Sequence, residues 1–416
     1  MKTPKPLYWL ALTAALALAF TGCKKDDDVS RPGNLTIEQT EYTLDADEER
    51  TATVAFTAAA DWTLSVVYDD AESSADWLTV TPASGTAGEQ TVELSATRNF
   101  RASARTAYAD LACGEQSVRL TVTQTAASGD TDFTAQFDEA FAKELQKQGI
   151  IADADNITPE DMEKIAAITS LDVAGSYDNP GTLTSLRGIE YFESLHGLFC
   201  LYNQLTSLDV SANTELTYLN CSSNQLTSLD VSANTELTYL NCYSNELTTL
   251  DVSRNTALTE LRCDYNQLTS LDVSRNTALT YLDCNNNQLT ELDVSRNTAL
   301  TELDCSGNPL TTLDISMNTA LTKLYCAINE LTTLDVSQNT ALTELSCFSN
   351  ELPSLNISRN RALTKFDCSY NPGDGVSSFP VTAWFDNDTK PGDLEIDEEQ
   401  WKYDGKTITI DFRKAE

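Results

Sequence analysis

Nine cysteines stand 21 residues apart without a slip, at Cys200, Cys221, Cys242, Cys263, Cys284, Cys305, Cys326, Cys347 and Cys368. Three residues after each comes an asparagine: Asn203, Asn224, Asn245, Asn266, Asn287, Asn308, Asn329, Asn350 and Asn371. A fixed period of this length marks a solenoid, in which each unit makes one coil and lies on the previous one. The period decides the fold of about half the chain. It also bears on function, because stacked coils display an extended wall more readily than they enclose a pocket.

The unit reads L-T-x-L-x-C-x-x-N-x-L-T-x-L-D-V-S-x-N-T-x, and Leu216, Leu219, Cys221, Asn224 and Leu226 fall on the leucine-rich-repeat pattern. Around Leu219 and Cys221 the alternation of a short strand turns Leu and Cys inward, leaving Tyr218, Asn220 and Ser222 to face outward. Asn224 stands where the chain turns, and its amide can satisfy backbone groups of neighbouring coils that would otherwise be buried without partners. The second half of the unit, as in residues 205–213, nearly copies the first. Its Thr and Val favour two extended sides per coil over a strand and a helix. Over about residues 168–371 these features resemble the internalin-type repeats, and among them the 21-residue cysteine-ladder variety of internalin J. That resemblance implies a leucine-rich-repeat solenoid and a role in adhesion.

The cysteines invite a redox or metal reading, and the sequence argues against both. Free cysteine behaves as a small buried hydrophobe, here at a position where Leu is usual. Nine sulfurs cannot pair completely, and the ladder lacks the Cys-x-x-Cys or Cys/His spacing of a zinc site. The expectation is a structural ladder with no metal and no cofactor.

The start of the chain carries an address. Lys2 and Lys5 precede an apolar stretch of about 15 residues over 6–20, followed by Thr21-Gly22-Cys23, the layout of a signal peptide. The stretch is too short for a convincing membrane span. Residues 19–23 resemble a bacterial lipobox, which implies lipidation at Cys23. Residues 24–28, Lys-Lys-Asp-Asp-Asp, resemble the export signal of surface-displayed outer-membrane lipoproteins, although a charge run also serves as a plain solvated tether. The formal charge is −36, and loss of Lys2 and Lys5 lowers it by two more. Nucleic acid, which needs a basic footprint, is thereby excluded as a partner.

Between residues 34 and 125 the texture changes to short Thr/Val-rich alternating runs, such as 51–56 and 91–95, separated by turn chemistry such as 82–85. Several strands within some 90 residues predict a small β-sandwich. Asp61-Trp62, the run 77–85, Asn99, Arg105 and the ending Val122-Thr-Gln124 resemble the BACON domain, an Ig-like module whose name records a proposed carbohydrate-binding role. Trp62 and Trp77 are either core residues or stacking platforms for a sugar.

Two helical patterns follow, about 132–147 and 158–168. In the first, Phe133, Phe137, Phe141 and Leu145 make one apolar stripe. Thr158-Pro159 opens the second, with Asp161 at the capping-box position. These helices are expected to cap one open end of the coil stack, and a hairpin around Asp404-Gly405 to cover the other. Asp153 and Asp155 suggest an EF-hand, but the loop has no glycine at the sixth position and Lys164 where the bidentate Glu belongs.

An enzyme is not expected. His196 is the single histidine, and no nucleophile elbow, phosphate loop or zinc-protease motif occurs. Two outward stripes remain. The second half of the unit stacks Asp209, Asp230, Asp251, Asp272, Asp293, Asp314 and Asp335, ending at Asn356. Like charges at strand spacing repel, so this stripe should be solvated, paired with Arg254, Arg275 and Arg296, or bridged by calcium. The first half varies and carries large residues: Phe199, Tyr218, Tyr239, Tyr243, Tyr281, Tyr325 and Phe348, with Tyr202, Tyr265 and Tyr370 one step further. Tyrosine is enriched at binding hot spots, which makes these ten the candidate ligand-binding residues. The alternative is that they shield neighbouring strands.

The expected protein is mainly β, an N-terminal Ig-like sandwich followed by a leucine-rich-repeat solenoid with a helical cap before it and a β cap after it. Its parts are a lipoprotein signal peptide (1–22), an acidic tether (23–33), the BACON-like sandwich (34–125), a linker (126–131), the helical cap (132–170), the solenoid (171–371) and the C-terminal cap (372–416). The expected function is a lipid-anchored surface protein whose strand face engages a protein or glycoprotein. The competing reading is glycan capture, with polysaccharide held by the BACON-like domain or the tyrosine face.

Overall fold

The computed structural model describes residues 35–46, 50–68 and 77–415. The signal peptide, Cys23 and the acidic tether lie outside the described residues.

The first unit is a sandwich of two sheets. One holds Leu35–Ile37, Thr51–Ala58, Gly88–Ala96 and Leu78–Thr81; the other holds Glu41–Leu44, Gln116–Gln124, Arg105–Cys113, Trp62–Val67 and Ser84–Gly85. Alternate residues of each strand, such as Val54, Leu94, Leu111 and Val122, point into a shared core. Trp62 and Trp77 are both in that core, each 2% exposed. Trp62 meets Phe56 edge to face, and the Arg105 guanidinium lies 4.6 Å from the Trp77 ring centre. Neither tryptophan is a platform for a sugar.

A loop of the sandwich docks on the helical cap. Phe100 meets the rings of Phe133 and Tyr191, with centroids 5.6 and 4.6 Å away, and Arg101 pairs with Glu193. Residues 126–131, which read as a linker, run through this joint: Ala127 is buried in the solenoid's core cluster, and its N–H donates to Arg101 O.

The cap contains helices Glu139–Lys147 and Pro159–Ala166. The first starts seven residues later than its apolar stripe predicts. Asp138 takes the free amides of Ala140 and Phe141 on its carboxylate, which fixes the helix start there, and a 3-10 turn at Thr134–Gln136 carries the chain from Phe133 to Phe137. The stripe itself is real, because Phe133, Phe137, Phe141 and Leu145 are all buried. Thr158 and Asp161 form the reciprocal capping box.

Eleven parallel strands then run from Ser170–Asp172 to Glu395–Ile396 as one sheet. Each of the repeat strands is three residues long and pairs with its equivalent in the next coil, Leu219 with Leu240 and Leu240 with Leu261. The other side of each coil holds no helix, as its Thr and Val imply, but forms no continuous ladder of strands. Within residues 205–356 it holds turns and short irregular segments, with isolated bridges between Asp209 and Asp230 and between Asp335 and Asn356 and single backbone bonds between coils such as Gln225 N–H to Leu205 O. Two turns per unit use up the residues that a second ladder would need.

At the far end, Gln400–Tyr403 and Lys406–Lys414 form the expected hairpin, with Asp404 and Gly405 both at positive φ. Trp401 is buried and donates its indole N–H to the carbonyl of Asn371, the last asparagine of the ladder. The ladder therefore ends on a hydrogen bond from its cover and leaves no open coil.

Candidate functional site

The strand face is built on hydrogen bonds between coils. Asn224 donates from Nδ2 to the carbonyls of Cys200 (3.0 Å), Cys221 (3.0 Å) and Ser222 (3.2 Å), and its Oδ1 accepts the Leu205 N–H at 3.0 Å. The pattern repeats at Asn245, Asn266, Asn287, Asn308, Asn329, Asn350 and Asn371. One side chain thus closes turns in two coils. In the first coil the same role leaves no room beside the asparagine, where a Cβ on Gly181 would lie 2.0 Å from Asn203 Oδ1.

A second column went unread in the sequence. Asn213, Asn234, Asn255, Asn276, Asn297, Asn318, Asn339 and Asn360 are fully buried, and Asn234 donates to Val210 O at 2.9 Å and Asn213 O at 2.8 Å. A third column comes from threonine, with Thr238 Oγ1 donating to Thr217 O and Thr259 to Thr238 O. Both were marked by the same 21-residue interval that exposes the cysteines.

The cysteine sulfurs fill the coils. All nine are buried, and Cys284 Sγ lies 3.5 Å from Asp304 O in the next coil. Burial pushes the thiols up, Cys221 to about 12. They are in the protonated form at neutral pH, unsuited to nucleophilic or metal chemistry.

The aspartate stripe is exposed, and each carboxylate is held down first by its own turn, with a smaller pull from Arg254, Arg275 and Arg296 at Asp251, Asp272 and Asp293. Asp209 Oδ1 accepts the Ser211 N–H at 3.0 Å, and the Ser hydroxyl and amide hold the carboxyl below its ordinary value. The same turn recurs from Asp230 to Asp335 and at Asn356. Among the described residues no ion pair joins Arg254, Arg275 or Arg296 to this stripe. The charges are spaced along a solvated edge, each paired with its own turn.

On the strand face the candidate residues fall into rows. Tyr218, Tyr239 and Tyr281 precede the inward leucine; Phe199 and Tyr325 follow it; Tyr243 and Phe348 follow the cysteine. Tyr202, Tyr265 and Tyr370 occupy the position before each ladder asparagine, which has positive φ in every coil and is taken elsewhere by Ser223, Ser244, Asn286, Gly307, Ile328 and Ser349. The left-handed backbone turns those three tyrosines off the strand row, and Tyr265 and Tyr370 are exposed while the others are half-buried.

The rings meet in part. Phe199 packs on Tyr218 at 4.8 Å, Tyr218 stacks on Tyr239, and Tyr243 meets Tyr265 edge to face at 5.6 Å. Tyr325 donates its hydroxyl to Glu344 at 2.8 Å. Asn220 and Ser222 face outward as expected yet are buried, the Ser222 hydroxyl donating to Asn220 Oδ1 at 2.7 Å. The face is therefore a tight mosaic of tyrosine, carboxylate and small polar groups.

This architecture defines a leucine-rich-repeat solenoid behind an Ig-like sandwich. Residues 34–127 match the family described as Viral BACON domain, and residues 256–297 and 277–317 match Leucine Rich repeats (2 copies). No curated protein matches the chain. Among solved structures it is similar to the functional domain of InlJ from Listeria monocytogenes, which includes a cysteine ladder, at 40% identity and a TM-score of 0.57 over 68% of this chain. The chain spans 61% of that structure's length. It also matches the APL1 leucine-rich repeat domain (20% identity, TM-score 0.42, 60% of this chain and 80% of that one) and a plant ice-binding protein (22%, 0.43, 52% and 76%). The chain is an internalin-like leucine-rich-repeat protein with an N-terminal BACON domain.

The motif that marks the BACON domain is structural here. Asn99 donates to Ser103 O and Thr125 O, Arg105 donates to Gln124 Oε1 and Thr97 O, and Gln124 donates to Asp45 O and Thr97 O. These bonds tie the loop that docks on the cap to the end of the last strand.

Proposed function

We infer that the chain is a non-enzymatic surface protein whose strand face binds another protein. The observation that carries this reading is the unlike treatment of the coil's two sides. The turn side repeats almost unchanged from coil to coil, whereas the strand side presents a different set of Tyr, Phe, Arg and Asp in each. A face needed only for stacking has no use for such variety, and tyrosine supplies rigid contact area at low entropic cost. Leucine-rich-repeat scaffolds generally bind proteins, which agrees.

Residues 1–28 support a lipid anchor at Cys23 with display on the outer-membrane surface. The sandwich, locked to the cap through Phe100 and Arg101, would then hold the solenoid at a fixed angle away from the membrane. The glycan-capture reading loses the support that Trp62 and Trp77 would have given it in the BACON domain, since both lie in the core, and keeps only the tyrosine face.

The test is retention of the full chain, coupled to beads, on arrays of extracellular proteins and of polysaccharides. Retention on proteins that protease treatment of the array removes is expected. Retention confined to polysaccharide would contradict the reading.

A further inference from the structure

The middle of the strand face carries more negative charge than its own bases neutralise. Three cations stand on these strands, and each is engaged by a glutamate of the first row. Arg262 Nε lies 2.6 Å from Glu260, Lys323 Nζ 3.2 Å from Glu302, and Lys365 Nζ 3.8 Å from Glu344. Arg262 is also committed to the Tyr281 ring, 4.5 Å from its centre. Asp264, Asp283 and Asp304, on three consecutive coils, are left without an ion pair among the described residues.

These carboxylates are not solvated bystanders. Asp264 is 8% exposed and Asp283 9%. Asp283 accepts the amide and side-chain N–H groups of Asn285, at 3.2 and 2.6 Å, and Asp304 accepts the Ser306 N–H at 2.9 Å. The Asp264 carboxylate receives no hydrogen bond from any other described residue. Burial, then the charge of Asp283, pushes Asp264 up to about 7; burial, then Asp304, pushes Asp283 up to about 6. A carboxylate drawn this far from water is costly to ionise, and an incoming cation lowers that cost.

The surroundings suit an organic cation. Asp264 is flanked by Tyr265 beside it in the chain and Tyr243 from the preceding coil, their rings edge to face; Tyr325 stands just beyond Asp304, while Tyr281 on the strand of Asp283 already carries Arg262. Aromatic faces attract ammonium and guanidinium groups, most strongly where water is scarce. Among the described residues no three metal-ligating side chains converge. The acids instead lie on successive coils, Asp283 and Asp304 in register about 4.8 Å apart and Asp264 two residues further along its coil, so they can each meet one charged group of an extended chain.

We propose that this part of the strand face receives a protein segment presenting arginine or lysine side chains, which pair with Asp264, Asp283 and Asp304 between the tyrosine rings. The proposal rests on the reading of the strand face as a protein-binding surface and names the chemistry of its partner.

The test uses the full chain and a fluorescent nona-arginine peptide at fixed, near-physiological salt. Asp264→Asn with Asp283→Asn should weaken binding by about tenfold or more. Asp230→Asn with Asp251→Asn, which removes the same charge from the turn side, should change it less than about twofold. Asp304→Asn alone serves as a second variant should the first pair fail to fold, and it should weaken binding in the same direction. Equal weakening by the strand-side and turn-side pairs would reduce the effect to general electrostatics and overturn the proposal. Thermal stabilisation by calcium chloride alone, lost in the Asp264/Asp283 variant, would assign the acids to a metal and also overturn it. If peptide binding ignores these acids while strand-face substitutions still abolish retention on protein arrays, the cationic partner is refuted and the protein-binding face stands.

Discussion

The rings of Tyr218 and Tyr239 lie face to face, their centroids 4.0 Å apart and their planes 3° from parallel. They belong to equivalent positions of adjacent coils, paired in register by the sheet. The contact is therefore part of the coil stack as well as of the exposed face. Replacing either ring should cost stability, and a double-mutant cycle with Tyr218→Ser and Tyr239→Ser should return a coupling of about 0.5–1.5 kcal/mol in urea unfolding. Strict additivity would show that the two rings act independently.

The asparagine ladder should be far less forgiving. Asn287→Ala removes the donor to the carbonyls of Cys263, Cys284 and Asn285 and the acceptor for the Leu268 N–H, all at 2.9–3.2 Å. Each buried backbone group left without a partner costs about 1–3 kcal/mol, so a loss of roughly 3 kcal/mol or more is expected. An exposed control, Asn286→Ala, replaces a positive-φ residue outside that network and should cost clearly less. Equal costs would remove the ladder's claimed role.

The ladder sulfurs should be chemically silent while the chain is folded. Iodoacetamide added to native protein, followed by peptide mass mapping, should leave Cys200 through Cys368 unmodified, and the same reagent in denaturant should label all nine. Burial is complete and raises the thiols' affinity for the proton, which removes both access and thiolate. Rapid native labelling at several ladder positions would show that the coils open.

How much of this was legible beforehand depended on whether a property belonged to one unit or to its neighbours. Cys221 and Asn224 announced the coil because their roles repeat identically. The second column, Asn213 to Asn360, carries the same periodic signal, but its burial and its bonds depend on the coil beneath it, which no single unit reveals. The aspartate stripe was legible as a solvated edge, and Asp-x-Ser specifies the turn in which the serine amide meets the carboxylate. Burial of Asp264 was beyond reach of the sequence, because it depends on which side chains the two adjacent coils place beside it. The docking of Phe100 on Tyr191 was hidden for a similar reason, since the two lie far apart in the chain and neither follows a period.

Stability should depend on pH with opposite slopes from the two aspartate groups. Asp264 and Asp283 hold their protons to about 7 and about 6 in the folded chain, against an ordinary value of 3.8. Between those limits the folded chain binds more protons than the unfolded one. Their contribution is complete below about pH 4 and is lost as pH climbs through 7. Asp209 and its equivalents are held below 3.8, so their contribution is present above about pH 4 and lost as pH falls. The melting temperature should therefore be higher at pH 5 than at pH 8 by a few degrees, then fall below pH 4. Asp264→Asn with Asp283→Asn should flatten the difference between pH 5 and pH 8; an unchanged slope would show that these carboxyls are ordinary.

Binding should discriminate between the two sides of one coil stack. Asn241→Arg and Ser346→Arg place bulk and charge on the strand face, while Ser232→Arg and Ser316→Arg do the same on the turn side. Retention of the full chain on a protein surface that captures the parent is the measurement. The strand-side pair should lower it at least about tenfold and the turn-side pair should leave it within about twofold. Loss with the turn-side pair and full retention with the strand-side pair would place the binding surface on the wrong wall of the solenoid for everything argued above.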